Sequence, residues 1–362
     1  MSDVPLASIP VIDMAPYFVD EGVVVGKPPT DAQKATAATI NECCTNHGFA
    51  HITNFGLTAE LEAAAFAASE ELFGLPDSTK SNDLTRISPE TNTGYSPYAF
   101  EMLNRSRPPD LKEAFNVRSP EIHPTDGYFS ACPDAFRTKS LALWDVLALA
   151  ARRYSLACAV ALGLESDYFA KSLKRMDLCT CRFLHYPPCE VPVDGSELKH
   201  AIRVGEHTDF GAFTFLLLGQ GAEGLQIKPI EGSEAGGAFG GEDGGWLGVP
   251  PPPPRDAAAN VKGVSALVNT GACLARWTND VWRATAHRVI VPSAAVASRH
   301  RYSIACFIDP DAAAKVAVDG RFVKEGEAPK YPETTGLDYL LSKLREAQGV
   351  DNKEPEAKEH KS

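Results

Sequence analysis

From about residue 178 the chain becomes a close series of short β-type runs. No other feature narrows the choice of fold as much. Residues 180–185, 213–218, 225–227, 265–269, 287–291 and 302–308 are rich in aliphatic, aromatic and β-branched side chains, and Gly, Pro and Asn clusters separate them. Short strands divided by turn residues predict an antiparallel sandwich or barrel.

The first 165 residues have a different texture, mostly helical with a few strands. A short strand is expected over 8–13, a helix over 31–46 and a strand over 48–53. A helix over 58–73 follows, with Thr58 as its N-cap. Residues 80–130 lose all periodicity and read as long loops with short elements, the kind of segment that often carries binding residues. Residues 138–164 return to helix, ended by Gly163. Near the other end, 337–347 predicts a helix with Leu340, Leu341 and Leu344 on one face, and 351–362 a charged, frayed tail. The glycine-rich stretch 232–245 reads as a surface insertion, and Pro250 to Pro254 as a stiff bend.

Length and charge exclude some classes of function. The 362 residues allow one large domain or two small ones. A net charge of −12 disfavours binding to a nucleic-acid backbone. The first eighteen residues lack a basic region followed by an apolar one, so no secretory signal is expected. No apolar run is long enough for a membrane span. The nine cysteines include no CxxC pair and predict reduced thiols in a cytoplasmic protein. No extended apolar surface pattern stands out, and a monomer is expected.

The chemistry concentrates in Gly205-Glu-His207-Thr-Asp209-Phe-Gly211. A His and an Asp two apart on an extended segment project to the same side. Together they form half of a mixed nitrogen and oxygen metal site. His287, at the start of a later β-type run, is the best third ligand. Two His and one carboxylate with open positions suit non-haem Fe(II), whereas zinc prefers a closed tetrahedron or a single open position. Arg301-Tyr-Ser303 follows, and its Arg and Ser also share a strand face. A guanidinium fork beside a hydroxyl is a carboxylate clamp.

With these residues in place, the chain resembles the 2-oxoglutarate/Fe(II)-dependent dioxygenase superfamily, in its isopenicillin N synthase-like branch. The resemblance runs in order through Ile9-Pro-Val-Ile-Asp13, Asn46-His-Gly48-Phe49, Thr53-Asn54-Phe55-Gly56, Lys112-Glu113-Ala-Phe115 and Leu184-His-Tyr186-Pro187-Pro188. It continues through His207-Thr-Asp209, Gly224-Leu225-Gln226, Trp246, Asn269-x-Gly271, Arg276-Trp277-Thr278-Asn279, His287-Arg288-Val289 and Arg301-Tyr302-Ser303-Ile304. Phe55, Leu184 and Ala272 depart from the usual residues.

The resemblance implies a mainly β fold with helical cover, a distorted double-stranded β-helix (jelly roll) packed by N-terminal helices. The expected division is 1–165, 166–325 and 326–362, integrated into one unit. It implies Fe(II) bound by His207, Asp209 and His287. It also implies 2-oxoglutarate held by Arg301, Ser303 and Tyr186, with O2 as the other co-substrate. Succinate and CO2 would accompany hydroxylation, desaturation or cyclisation of a small molecule, with specialised metabolites the expected class. Two alternatives remain open at this level. One is an oxidase of the same scaffold that clamps a substrate carboxylate with Arg301 and Ser303; the other is a non-catalytic metal-binding protein.

Arg105, Arg107 and Arg203 are candidates for pairing with a substrate carboxylate, and Asn92, Tyr95 and Tyr98 for lining the substrate pocket. His47, His51, His123, His185, His200, His300 and His360 lack a partner motif and read as structural or exposed.

Overall fold

The computed structural model describes residues 5–19, 27–88, 91–102, 108–189, 202–229, 245–251 and 264–348. Two β-sheets face each other. The strands, in chain order, are β1 (Val11–Asp13), β2 (Phe49–Thr53), β3 (Gly94–Ser96), β4 (Glu113–Arg118), β5 (Thr180–Tyr186) and β6 (Ile202–His207). Then come β7 (Phe213–Leu218), β8 (Leu225–Ile227), β9 (Leu247–Gly248), β10 (Ala266–Thr270), β11 (His287–Ile290) and β12 (Arg301–Ile308). The larger sheet runs β1-β2-β10-β7-β12-β5-β4-β3, and the smaller runs β6-β11-β8-β9. This is the expected jelly roll, and the first 165 residues extend its larger sheet with β1 to β4.

Side-chain alternation sorts the larger sheet into two faces. Phe183, Phe213, Phe215, Leu217, Ile304 and Cys306 turn toward the helices and join the main apolar core. Leu184, Tyr186, Leu267 and Ala305 turn the other way and meet Val204, Leu225 and Val289 of the smaller sheet. The second face therefore lines the interior of the jelly roll, where the candidate site lies.

The cover consists of α1 (Asp31–Asn46), α2 (Ala59–Phe73), α3 (Asp77–Asn82), α4 (Thr125–Tyr128) and the long α5 (Asp134–Ala161). A capping box between Thr30 and Gln33 opens α1. Thr58 caps α2, as expected, by accepting from the Leu61 N–H, which is worth about 1 kcal/mol. α5 starts earlier than periodicity suggested, directly after Pro133. It lays Leu143, Leu147 and Tyr154 against the sheet, with the Tyr154 ring 4.9 Å from that of Phe213. Beyond the strands of the first half lie α6 (Ala272–Trp277), α7 (Ala294–Ala297) and α8 (Gly336–Gln348).

Two sequence expectations need correction. The leucine face expected of α8 is not the buried one: Leu341 and Leu344 are exposed, Leu340 is half-buried, and the helix docks through Tyr339. His207 closes β6 while Asp209 lies beyond its end. The two ligands thus converge across a bend rather than by alternation along one strand. Most of the glycine-rich stretch, part of the proline run and the C-terminal tail fall outside the described residues. All nine cysteines are free thiols.

Candidate metal and co-substrate site

Three ligand atoms meet at the mouth of the jelly-roll interior. β11 pairs with β6 so that His287 lies directly opposite His207. The imidazole centroids are 4.3 Å apart. Asp209 Oδ1 lies 3.8 Å from His207 Nε2 and 3.6 Å from His287 Nε2. Ligand atoms of all three residues lie within 4.8 Å of one another.

Hydrogen bonds prepare each ligand. His207 Nδ1 sits 2.8 Å from the Gly205 carbonyl oxygen, and His287 Nδ1 sits 3.1 Å from that of Thr285. A carbonyl can only accept, so both Nδ1 atoms carry the proton and both Nε2 lone pairs face inward. Asp209 Oδ2 accepts from Thr214 Oγ1 at 2.6 Å and from Asn269 Nδ2 at 2.7 Å. Asn269 and Thr214 are direct cross-strand partners on β10 and β7. With Oδ2 occupied, Oδ1 is the oxygen presented to a cation.

Electrostatics favours the same state. Burial, with the neighbouring His287, holds the His207 imidazole down to about 4, so it is neutral near pH 7. Burial pushes the Asp209 carboxyl up, but His287, His207, Asn269 and Thr214 outweigh it and leave it ionised. The donor set, its protonation state and its spacing all fit a divalent metal with positions left open.

Arg301 and Ser303 occupy the interior end of β12, and register places Arg301 opposite Tyr186 on β5. Arg301 is 2% exposed. Its Nη1 donates to Ser303 Oγ at 3.4 Å and its Nε to the Glu223 carbonyl at 3.3 Å. Its guanidinium carbon stands 4.7 Å from the Tyr186 ring centroid. The three expected co-substrate residues are thus brought together.

The other candidates separate. Tyr95 faces the helices, because alternation pairs it with Phe115 on the outer side of β4. There its hydroxyl donates to Glu113, which also receives Lys80 and His185. That face of the sheet packs against the helices. Asn92 sits in a left-handed turn and bonds Asn116 and Thr180. Tyr98 is half-exposed, within the field of Arg203. Arg203 is buried at the inner end of the interior. Arg105 and Arg107 lie outside the described residues.

An ion row went unread in the sequence. Arg182 Nη2 donates to Glu101 Oε1, Glu101 Oε2 lies 3.3 Å from Lys112 Nζ, and Lys112 lies 2.7 Å from Asp110. Burial raises the Glu101 carboxyl, but Arg182 and Lys112 bring it down to about 2. Only Lys112 carried a signal, as the inward half of the Lys112-Glu113 pair whose outward half is Glu113. Thr214 was readable only as a strand residue, and Asn269 only as part of the Asn269-x-Gly271 motif, with no sign that either bonds Asp209.

The pattern described as 2OG-Fe(II) oxygenase superfamily matches residues 177–310, a span that contains the triad and the clamp. The chain belongs to the 2OG-Fe(II) oxygenase superfamily. The pattern described as non-haem dioxygenase in morphine synthesis, N-terminal, matches residues 9–134. Among superfamily members, the 2-oxoglutarate-Fe(II) type oxidoreductase hxnY of Emericella nidulans is 29% identical over 357 residues, covering 94% of this chain and 90% of that one. The 2-oxoglutarate-dependent dioxygenase citB of Monascus ruber is 27% identical, covering 83% and 84%. The crystal structure of a full-length Neurospora crassa protein in complex with alpha-KG superimposes with a TM-score of 0.72 at 26% identity, covering 93% of this chain and 95% of that one. No described helix is long and apolar enough to cross a membrane.

Proposed function

We propose that this protein is an Fe(II)- and 2-oxoglutarate-dependent dioxygenase that oxidises a C–H bond of a small organic substrate. His207 Nε2, Asp209 Oδ1 and His287 Nε2 hold the metal. Arg301 and Ser303, with Tyr186 beside them, hold the distal carboxylate of 2-oxoglutarate. One observation carries the reading: every other polar atom of the three ligands is already bonded within the protein, so the inward atoms have only a cation to serve.

When bound, the metal and co-substrate supply the oxidising power for hydrogen abstraction from an unactivated carbon. The chain's own residues orient and seal. Gly205 and Thr285 carbonyls fix the imidazoles, and Thr214 and Asn269 fix the carboxylate. Leu184, Val204, Leu225, Leu267, Val289 and Ala305 keep the interior dry between the sheets. The buried Arg301 charge draws in a dicarboxylic acid against the net negative charge of the protein. Specialised metabolites are the substrate class proposed here.

Succinate release tests the reading. The protein with Fe(II), O2 and 2-oxoglutarate should form succinate, and His287→Ala should abolish it. Verified substrate oxidation without succinate would defeat the proposal in favour of an oxidase that clamps a substrate carboxylate.

A further inference from the structure

We infer that Arg203 is a second guanidinium at the distal-carboxylate end of the co-substrate pocket, where it adds to the affinity for that carboxylate. The inference rests on the 2-oxoglutarate reading above. Sequence alone suggested a substrate carboxylate as its partner, but the register of the strands places it elsewhere. From the ligand pair His207 and His287, β6 and β11 run inward through Val204 opposite Val289 to Ile202 opposite Ile290. Arg203 lies four residues before the metal ligand, roughly 13 Å along an extended strand. That is the inner end, where β12 and β5 bring Arg301 opposite Tyr186.

Both guanidinium groups address the same aromatic ring. The Arg301 carbon is 4.7 Å from the Tyr186 centroid and the Arg203 carbon is 6.0 Å away. Arg203 is 1% exposed. Its Nη2 donates to the Val296 and Arg299 carbonyls at 3.3 and 3.4 Å, around the end of α7. Among the described residues its Nε and Nη1 have no hydrogen-bond partner. Among the described residues no acidic side chain forms an ion pair with it.

A buried cation without a counter-charge is unfavourable, and a second cation nearby makes it worse. The Arg203 charge adds to burial in disfavouring the protonated state of Arg301. An anion at this end relieves both residues at once. The keto-acid end of 2-oxoglutarate belongs at the metal, so its distal carboxylate is the group left to meet them. A 2-oxo acid lacking that carboxylate leaves two buried cations facing each other and gains nothing from either.

The test compares 2-oxoglutarate with 2-oxopentanoate, which has the same chelating end and a methyl in place of the distal carboxylate. Anaerobic titrations of the Fe(II)-loaded protein give both affinities for wild type, Arg203→Met, Arg203→Gln and Arg203→Lys. The expected result is at least a roughly tenfold weakening of 2-oxoglutarate in the Met and Gln variants, with most of it restored by Lys. The 2-oxopentanoate affinity should stay within about twofold throughout. Unchanged 2-oxoglutarate affinity would overturn the inference and return Arg203 to the substrate or to packing. Equal weakening of both ligands would also overturn it, because that marks a structural role. If the Met variant fails to fold, the contrast between Gln and Lys decides. Wild type that binds neither ligand would instead defeat the 2-oxoglutarate reading itself.

Discussion

Removing the Thr214 hydroxyl should cost metal affinity while leaving the fold intact. Thr214→Val keeps the β-branched shape that a central strand packs well, and it deletes one donor, 2.6 Å from Asp209 Oδ2. Asn269 remains on the same oxygen at 2.7 Å. A hydrogen bond to a charged group contributes about 1.5–3 kcal/mol. Loss of an outer-sphere partner lowers metal affinity by about 10–100-fold. At about 1.4 kcal/mol per decade the two ranges agree. Thr214→Val and Asn269→Ala should therefore each weaken binding by about tenfold or more, and the double variant by about 100-fold or more. Calorimetric titration with Mn(II), a redox-stable probe, measures this, and circular dichroism checks the fold. Affinities within about twofold of wild type in both single variants, with intact structure, would refute the assignment of these residues.

Other expectations concern the clamp, the backbone and pH. Arg301→Met should raise the KM for 2-oxoglutarate by about 100-fold, from about 3 kcal/mol of lost charge-assisted bonding, with a smaller effect on kcat; steady-state kinetics at saturating O2 reads the split. Gly271→Ala would put a methyl 2.1 Å from the Gly211 carbonyl oxygen, and that backbone also carries Asp209. It should destabilise the protein by about 3 kcal/mol or more, measured by urea unfolding. Burial pushes the Glu113 carboxyl up, but His185, Tyr95 and Lys80 together hold it below its ordinary 4.5. The unfolded chain therefore binds this proton first as pH falls. The Glu113 contribution is complete above that value and is lost below it as pH drops through the folded-state pKa. The urea midpoint should fall as pH drops below Glu113's ordinary 4.5, and Glu113→Gln should flatten that fall while lowering stability at pH 7.

Much of the barrel was legible because its strands advertise themselves. The runs at 213–218 and 225–227 coincide with β7 and β8, and the run at 302–308 misses only Arg301 of β12. Alternating apolar side chains bounded by turn residues specify such strands locally. Of β6 only the end at 205–207 was read as extended, because Arg203, Gly205 and Glu206 break the strand's apolar pattern. The triad and clamp were readable from residue type and spacing. Their support was not: Thr214 and Asn269 meet only through β7–β10 register, and Glu101 reaches Arg182 only after the 91–102 segment folds back over β4 and β5. The face that Tyr95 takes was not legible for the same reason, since it depends on register with β4 rather than on composition.

Anaerobic titration of the Fe(II)-loaded protein with 2-oxoglutarate, followed in the visible spectrum, tests the central claim most directly. A saturable metal-to-ligand charge-transfer band should appear in wild type, vanish in Asp209→Ala and need far more 2-oxoglutarate in Arg301→Met. A folded wild type that gives no band, or a band that survives the loss of Asp209, would contradict the account.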